Sequence, residues 1–281
     1  MNYIFYNPTS NSGKNKDVLN KALAKYENYL EVDITNDENY LLTLKKLTSE
    51  DEAILVGGDG TLNHFINKIK DFDLPCNVYF YTAGTGNDFY NDVKNETNKD
   101  GIVLLNPYLK NLPTVIVNDK EYKFIDGIGY GIDGYCCEEG DKLRLKSDKP
   151  VNYTSIAIKG LLFHFKRPNA TITVDGVTQK YKRVWLAPTM KGRYYGGGMM
   201  VTPNQDRLNK ENTVTTAIMY NSGKIHTLMV FPSIFKGEHV KHTKMFKQIT
   251  GHHIIVEFDR PTALQIDGET FTNITKYEVK A

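Results

Sequence analysis

What this chain has little of narrows its chemistry first. It holds three cysteines in 281 residues, Cys76, Cys136 and Cys137. An odd count without paired spacing argues against a disulfide framework and fits a reducing compartment. No zinc-type Cys/His spacing occurs, and the seven histidines show no metal pattern. Neither sign of charge dominates, since the formal net charge is +2. A nucleic-acid protein held by bulk positive charge is therefore not expected, while local basic patches stay open. No run reaches the roughly 18 apolar residues that span a bilayer. The longest candidate, Tyr153 to Phe165, is interrupted by Lys159 and His164. The opening Met1-Asn2-Tyr3-Ile4-Phe5-Tyr6 lacks a basic segment and a long apolar stretch, so it does not read as a signal peptide. A cytoplasmic protein is expected, with any membrane contact peripheral. There is no internal repeat and no low-complexity segment. Apolar residues make up 40% of the chain, enough for a core, so disorder is not a sensible reading.

Familiar nucleotide signatures are missing too. Ser12-Gly13-Lys14-Asn15 lacks the frame of a Walker A loop, and neither a protein-kinase nor a Rossmann glycine signature is present. What is there is Gly57-Gly58-Asp59-Gly60-Thr61. It follows the apolar run Ala53 to Val56, which reads as a buried parallel strand, and precedes Leu62, Phe65, Ile66 and Ile69 at helical spacing. Glycines on a strand-to-helix turn let a phosphate approach the backbone and the positive end of the helix. A carboxylate there would repel a phosphate unless a cation bridged them, so Asp59 points to metal-nucleotide handling. A second small-residue turn, Gly84-Thr85-Gly86-Asn87-Asp88-Phe89, follows the strand Val78 to Thr82. Its plainer reading is a helix cap supplied by Asn87 or Asp88.

The first third alternates strands (Tyr3–Tyr6, Leu30–Ile34, Ala53–Val56, Val78–Thr82) with helices (around Val18–Tyr26 and Tyr40–Leu47), which predicts a parallel sheet covered by helices. Ligands of such sheets bind beyond the carboxyl ends of the strands, where the loops Asn7–Lys14, Gly57–Thr61 and Gly84–Phe89 leave. After about Asn106 strand signals follow one another at 114–117, 122–126, 171–174, 181–187, 213–220, 253–258 and 277–279. Helices interrupt at Val151–Phe165 and Lys224–Phe235, and Asp175-Gly176 signals a hairpin. The expected organisation is an α/β nucleotide domain over 1–110 and an antiparallel β domain over 111–281, whose last residues are free to return to the first. Ile266-Asp267-Gly268-Glu269 reads either as a hairpin turn or as two carboxylates dividing base and metal tasks.

Taken together, these motifs resemble the diacylglycerol kinase catalytic-domain family, which includes bacterial lipid kinases and the relatives of sphingosine and ceramide kinases. The resemblance covers the whole chain. Asn7-Pro8-Thr9-Ser10 looks like the family's Asn-Pro loop, Gly57–Asn63 and Gly84–Phe89 like its nucleotide motifs, and Gly129-Tyr130-Gly131-Ile132-Asp133 like its Gly-Phe-Asp segment. Gly196-Gly197-Gly198-Met199 with Pro203, Lys236-Gly237-Glu238-His239 and Asp267-Gly268-Glu269 complete the order. The resemblance implies an α/β ATP-binding domain, a β-sandwich-like lipid domain and an active site in the cleft between them. It implies ATP and Mg²⁺ as cofactors and a role in phospholipid metabolism. ATP would meet Asn7, Pro8, Thr9, Ser10, Asn11, Thr35, Gly57, Gly58, Gly60, Thr61, Leu62, Asn63, His64, Gly84, Thr85 and Asn87. Asp59, Asp88 and Asp133 would form an acidic, water-linked Mg²⁺ network, and Asp267 or Glu269 would be the base.

Three departures stand out. His64 replaces a usual Glu, and Asp126 stands where the family often has Asn. The segment after Pro203, which usually holds a structural metal on Asp-Asp-Gly, reads Gln205-Asp206-Arg207-Leu208-Asn209-Lys210-Glu211. Asp206, Asn209 and the Glu211 carbonyl are the ligands that remain, a weakened set for a hard cation. The expected activity is transfer of the ATP γ-phosphoryl to a lipid hydroxyl, that of diacylglycerol foremost. Two alternatives stay open. One is an NAD kinase, which shares the Gly-Gly-Asp-Gly-Thr turn but fits Asn87-Asp88-Phe89 and Asp267-Gly268-Glu269 less well. The other is a lipid-binding regulatory member with little turnover. Lys14, Lys16, Arg144, Lys146, Lys166, Arg167 and Arg193 are candidates to meet anionic headgroups. A homodimer is left open, and no nucleic-acid partner is expected.

Overall fold

Alternating strand and helix signals in the first third become a five-stranded sheet. Its elements are β1 (Asn2–Tyr6), α1 (Lys16–Leu23), β2 (Tyr29–Asp33), α2 (Asp37–Lys46), β3 (Glu52–Gly57), α3 (Asp59–Lys68), β4 (Asn77–Thr82), α4 (Asp88–Val93), β5 (Ile102–Leu104) and α5 (Asn106–Leu109). The computed structural model describes residues 1–8, 16–84, 86–96, 102–147 and 151–281. The chain divides into two compact units, Met1–Leu112 and Pro113–Ala281.

In the first unit the strand order is β2-β1-β3-β4-β5, parallel except for the β4–β5 pair. β3 is buried from Ala53 through Gly57, as a central strand with both faces covered requires. α3 turns Leu62, Phe65 and Ile66 inward at the expected spacing. Phe89 of α4 lies edge-on to Phe80 at 6.0 Å and to Tyr108 at 5.3 Å, which seats that short helix on β4. Because β1, β3 and β4 are parallel, their following loops leave from one edge of the sheet. The order reverses at β1, flanked by β2 and β3, and such a reversal is where open α/β sheets bind ligands.

The second unit contains β6 (Thr114–Val117), β7 (Lys120–Lys123), β8 (Gly127–Tyr130), α6 (Ile132–Arg144), α7 (Tyr153–Lys159), β9 (Ala170–Val174), β10 (Val177–Tyr181), β11 (Thr189–Met190), β12 (Val214–Met219), α8 (Lys224–Val230), β13 (Phe246–Gly251), β14 (His253–Ile266) and β15 (Glu269–Lys280). Its ten strands form an antiparallel sheet in the order β13-β12-β11-β8-β14-β15-β6-β7, with β9 on β14 and β10 on β9. The long β14 pairs with β9 over its first half and with β8 over its last residues, with register shifts between Glu257 and Leu264. One core gathers Tyr130, Phe258 and Tyr277, and another, around Trp185, takes in Leu161 and Phe165, which follow α7, and Val230 of α8. Tyr130 stacks on Phe258 at 3.9 Å between ring centres.

Asp175-Gly176 makes the expected two-residue hairpin, with φ of 47° and 82°. The run 181–187 departs from expectation. β10 ends at Tyr181, the chain turns through a left-handed Arg183 (φ 54°), and Leu186 makes only isolated bridges. The apolar residues there mark a buried loop rather than a strand. Trp185 N–H donates to the Met219 carbonyl and Ala187 N–H to that of Tyr130, at 2.7 Å each. Both interrupting helices form. α7 widens into a π-type turn, Gly160–His164, and α8 tightens into a 3₁₀ turn, Phe231–Lys236, which contains Pro232. The sequence reading had no α6, a helix of 13 residues that begins at the Asp133 motif. The terminal strand β15 pairs with β14 and β6 inside the second sheet.

Candidate active site

The two glycine turns of the first unit lie against each other. Ala83 N–H donates to the Gly57 carbonyl at 2.7 Å. A Cβ on Gly58 would stand 2.9 Å from Gly84 Cα, and one on Gly84 would stand 2.7 Å from Gly58 Cα. Only glycine permits this backbone approach. Gly60 is the opposite case, because nothing lies within 4 Å of its would-be Cβ. At Gly60 the first turn of α3 thus presents bare backbone at the positive end of the helix dipole.

Asp59 joins the turns. Its carboxylate accepts from Asp88 N–H at 2.9 Å and from Phe89 N–H at 3.3 Å, capping α4. Asn87 adopts a left-handed conformation and donates its Nδ2 to the Gly84 carbonyl at 2.7 Å. Its Oδ1, like Thr82 Oγ1, is buried and finds no hydrogen-bond partner among the described residues. Asp88 is buried at the head of α4. The Asp59 and Asp88 carboxylates are hard donors of the kind that suits Mg²⁺, which keeps much of its water and is held by one or two carboxylates together with phosphates. The described residues contain no group of three or more His, Cys, Asp or Glu able to hold a metal.

Other expected nucleotide contacts fall as follows. Asn7 and Pro8 directly follow β1. Thr9, Ser10, Asn11 and Thr85 lie outside the described residues. Thr61, Leu62 and Asn63 are buried in α3. His64 is exposed, and its ring stacks on Tyr40 at 5.7 Å. Thr35 donates both its N–H and its hydroxyl to Asp33 Oδ1, at 2.8 and 2.6 Å.

In the second unit, Asp267-Gly268 is a two-residue turn joining β14 to β15, with φ of 43° and 98°. The buried Asp267 carboxylate accepts three backbone N–H groups, from Ile125 (2.8 Å), Asp126 (3.0 Å) and Gly127 (2.8 Å). Gln265 Oε1 accepts Gly268 N–H at 2.6 Å, which fixes the turn. Glu269, two residues on, is exposed. The two acids therefore differ in kind. Asp267 holds backbone, while Glu269 presents its carboxylate outward.

Asp133 opens α6. Its Oδ1 accepts Gly134 N–H at 3.0 Å and its Oδ2 the Tyr195 hydroxyl at 2.8 Å. Burial pushes its carboxyl up to about 6 against these bonds. A Cβ on Gly129 would stand 2.6 Å from both Asp133 Oδ2 and Gln265 Nε2, so β8 must pass the site as bare backbone. The triple glycine explains Tyr195. Gly196, Gly197 and Gly198 all have positive φ, and the loop they make returns Met199 to pair with Tyr195.

The Asp206 segment corrects the sequence reading, for its residues do not fit a structural metal. Asn209 Oδ1 already accepts the N–H and hydroxyl of Thr213, and the Glu211 carbonyl faces His252 Nε2 at 2.9 Å. Asp206 Oδ1 accepts Leu208 N–H at 2.9 Å. Two buried cationic side chains occupy the neighbourhood. Arg207 donates to the Ile125 carbonyl and to the Asp126 carboxylate. Lys191 donates to Asn212 Oδ1 at 2.5 Å, and burial together with Arg207 lowers it to about 8 against the pull of Asp206. Asp126, which stands where the family often has Asn, is thus the counter-charge of Arg207. A charge gained at one position beside an arginine in a metal-type loop was the available signal. Tyr195, Lys191 and Gln265 left no comparable mark in the sequence.

The basic residues are mixed in role. Arg167 lies over the Trp185 ring at 4.7 Å and donates to the Ser222 carbonyl at 2.6 Å, which makes it structural. Arg144 pairs with Asp141 at 3.3 Å, and Arg193 lies over the Tyr194 ring at 5.9 Å. Lys146 and Lys166 are exposed. Lys16 begins α1, and Lys14 lies outside the described residues.

Two family models cover nearly all of the chain. The diacylglycerol kinase catalytic domain matches residues 2–111, and the YegS C-terminal NAD kinase beta sandwich-like domain matches residues 127–279. A diacylglycerol kinase of Mycobacterium tuberculosis (strain H37Rv) is 24% identical over 249 residues, which are 84% of this chain and 78% of that protein. The crystal structure of a diacylglycerol kinase from Bacillus anthracis strain Sterne superposes with a TM-score of 0.62 at 16% identity, covering 99% of this chain and 93% of the other. Another crystal structure from the same strain reaches a TM-score of 0.70 at 16% identity, over 99% and 91% of the two chains. These structures share the fold. With motif order and both family models in agreement, the chain belongs to the diacylglycerol kinase catalytic-domain family.

Proposed function

We propose that this protein transfers the γ-phosphoryl group of ATP to a lipid hydroxyl, with diacylglycerol as acceptor and phosphatidic acid as product. The observation that carries the reading is the contrast between Asp267 and Glu269. Three N–H donors engage the oxygens with which Asp267 would have to take a proton. Glu269 stands exposed at the start of a strand that this same turn holds in place. We therefore assign the base to Glu269 and make Asp267 a positioning residue.

The nucleotide belongs to the first unit. Its phosphates would lie against the first turn of α3, where Gly60 leaves the backbone open. Asp59 and Asp88 would hold Mg²⁺, which supplies charge neutralisation at the phosphates. The lipid hydroxyl oxygen forms a bond to the γ-phosphorus as the bond to the β–γ bridging oxygen breaks. The hydroxyl proton passes to Glu269, and ADP leaves. Little covalent chemistry falls to the protein, so positioning and charge carry the rate. The acceptor is supported by the M. tuberculosis relative, named a diacylglycerol kinase, and by the terminal Asp-Gly-Glu.

The test is transfer of label from γ-labelled ATP to a panel of diacylglycerol, ceramide and sphingosine in mixed micelles, with NAD in parallel. Label in diacylglycerol is expected. Label in NAD alone would make the protein an NAD kinase. Lipid binding without transfer would make it a regulatory member of the fold.

A further inference from the structure

Three of the most exposed large apolar side chains of the second unit stand close together in the fold. Phe163 is 73% exposed, Ile225 72% and Met229 68%. Each projects from an element whose other face is buried. Leu161 anchors the π-type turn, and Thr227 and Val230 anchor α8. Ile225 and Met229 are four residues apart and share one face of the helix. Lys224 Nζ donates to the Leu162 carbonyl at 2.5 Å, so the first turn of α8 lies beside the turn bearing Phe163. Ile158 and Phe235, also exposed, extend this face along both elements. The surrounding charge is one-sided. Leaving aside the structural Arg167, residues 151–166 and 221–245 carry Lys159, Lys166, Lys224, Lys236, Lys241 and Lys244 against the single carboxylate Glu238. The whole chain is only +2, so the rest of it is net acidic.

We propose that α7, its π-type turn and α8 form the face that docks on an anionic bilayer, with Phe163, Ile225 and Met229 entering the acyl boundary and the lysines meeting headgroups. Large apolar side chains backed by lysines match the two layers of a bilayer interface. One signal alone gives marginal binding, whereas apolar insertion with basic charge gives a stable attachment. The choice of a bilayer rests on the lipid-kinase reading, but the binding surface itself does not. It lies apart from Glu269, Asp267 and the glycine turns in sequence, and none of its residues serves the chemistry assigned above.

The experiment uses the full chain and vesicles of mixed phosphatidylglycerol and phosphatidylcholine. Trp185, the single native tryptophan, is buried and gives a constant background. In Phe163→Trp and Ile225→Trp the added fluorescence should shift to shorter wavelength on vesicle addition and be quenched by acyl-brominated lipid. In Val177→Trp, on the β9–β10 hairpin, it should do neither. The double variant Phe163→Ser/Ile225→Ser should bind vesicles roughly tenfold or more weakly, while keeping its activity on a short-chain diacylglycerol in detergent micelles. Lys159→Ala/Lys166→Ala should weaken binding at low salt alone. Unshifted tryptophan probes, or a double serine variant that binds like wild type, would overturn the proposal. So would loss of self-association in that variant with vesicle binding intact, because the face would then be a protomer interface. If the probes insert but the wild type phosphorylates no lipid, the kinase reading fails and the docking face stands. If the wild type phosphorylates diacylglycerol while the serine variant behaves like it on vesicles, the docking face fails and the kinase reading stands.

Discussion

Replacing Arg207 tests how the second unit holds its acidic turn. Arg207 and Asp126 are 7% and 3% exposed, so Arg207→Met strands a buried carboxylate. Removing one partner of such a pair costs about 3–5 kcal/mol. The Ile125 carbonyl also loses a donor, although that cost overlaps with the first and should not be added in full. For a domain of this size each kcal/mol moves Tm by about 2–4 °C, so the fall should be roughly 6–20 °C. Trp185 lies in the second unit, so its fluorescence follows the melting of that unit alone. The double variant Asp126→Leu/Arg207→Met removes both charges and should recover most of the loss, because apolar replacements of buried pairs are often neutral or better. Wild-type melting should be the same in EDTA and in Mg²⁺ without nucleotide. The reasoning fails if Arg207→Met costs under about 1 kcal/mol, if the single effects simply add, or if EDTA alone destabilises the second unit.

Glu269→Gln should lower kcat by roughly 10²–10⁴-fold with ATP affinity nearly intact. Asp267→Asn should instead lower the second unit's melting temperature, a split that steady-state kinetics and tryptophan melts can read. Gly84→Ala drives a Cβ to 2.7 Å from Gly58 Cα, so the turns must part. A cost of about 1–3 kcal/mol and a raised KM for ATP are expected, measured by melting and by nucleotide titration. His239 is lowered to about 4, first by burial, then by His242, with the Val201 carbonyl opposing. Between about 4 and 6.5 the unfolded chain binds a proton that the folded chain refuses, so this histidine's contribution to stability is lost as pH falls through that window. The full difference corresponds to roughly 3 kcal/mol. Asp133, raised to about 6, titrates in the opposite sense over much of that window, so the measurement is the difference between wild type and His239→Gln across pH.

The first unit was largely legible in the sequence. β3 is apolar throughout its central residues and runs straight into glycines, and α3 repeats its apolar residues at helical spacing, so local signals and tertiary packing agree. The second unit was less so. The run 181–187 has strand composition, but the left-handed Arg183 ends the pairing, and a backbone angle at a non-glycine residue leaves no mark in a hydrophobic pattern. α6 was missed because its buried positions include Asp133, Gly134 and Gly140, which do not register as an apolar stripe. The Asp126–Arg207 pair joins residues 81 apart, and no local rule couples them. Motif order located the acids, but only geometry supports the proposed assignment of the base to Glu269 and of positioning to Asp267.

That assignment follows from the turn itself. Along an extended strand, residues two apart point to the same face, so Asp267 and Glu269 in a straight segment would share an environment. Positive φ at both Asp267 and Gly268 reverses the chain between them and breaks that alternation. Asp267 then turns back over Ile125–Gly127, where three N–H groups fix it, and Glu269 begins the returning strand with its side chain outward. The hairpin reading and the acidic reading of Asp-Gly-Glu are therefore not rivals. The tight turn is what gives two neighbouring carboxylates separate surroundings, one pinned to backbone and one exposed, and an insertion that lengthened it would remove that separation.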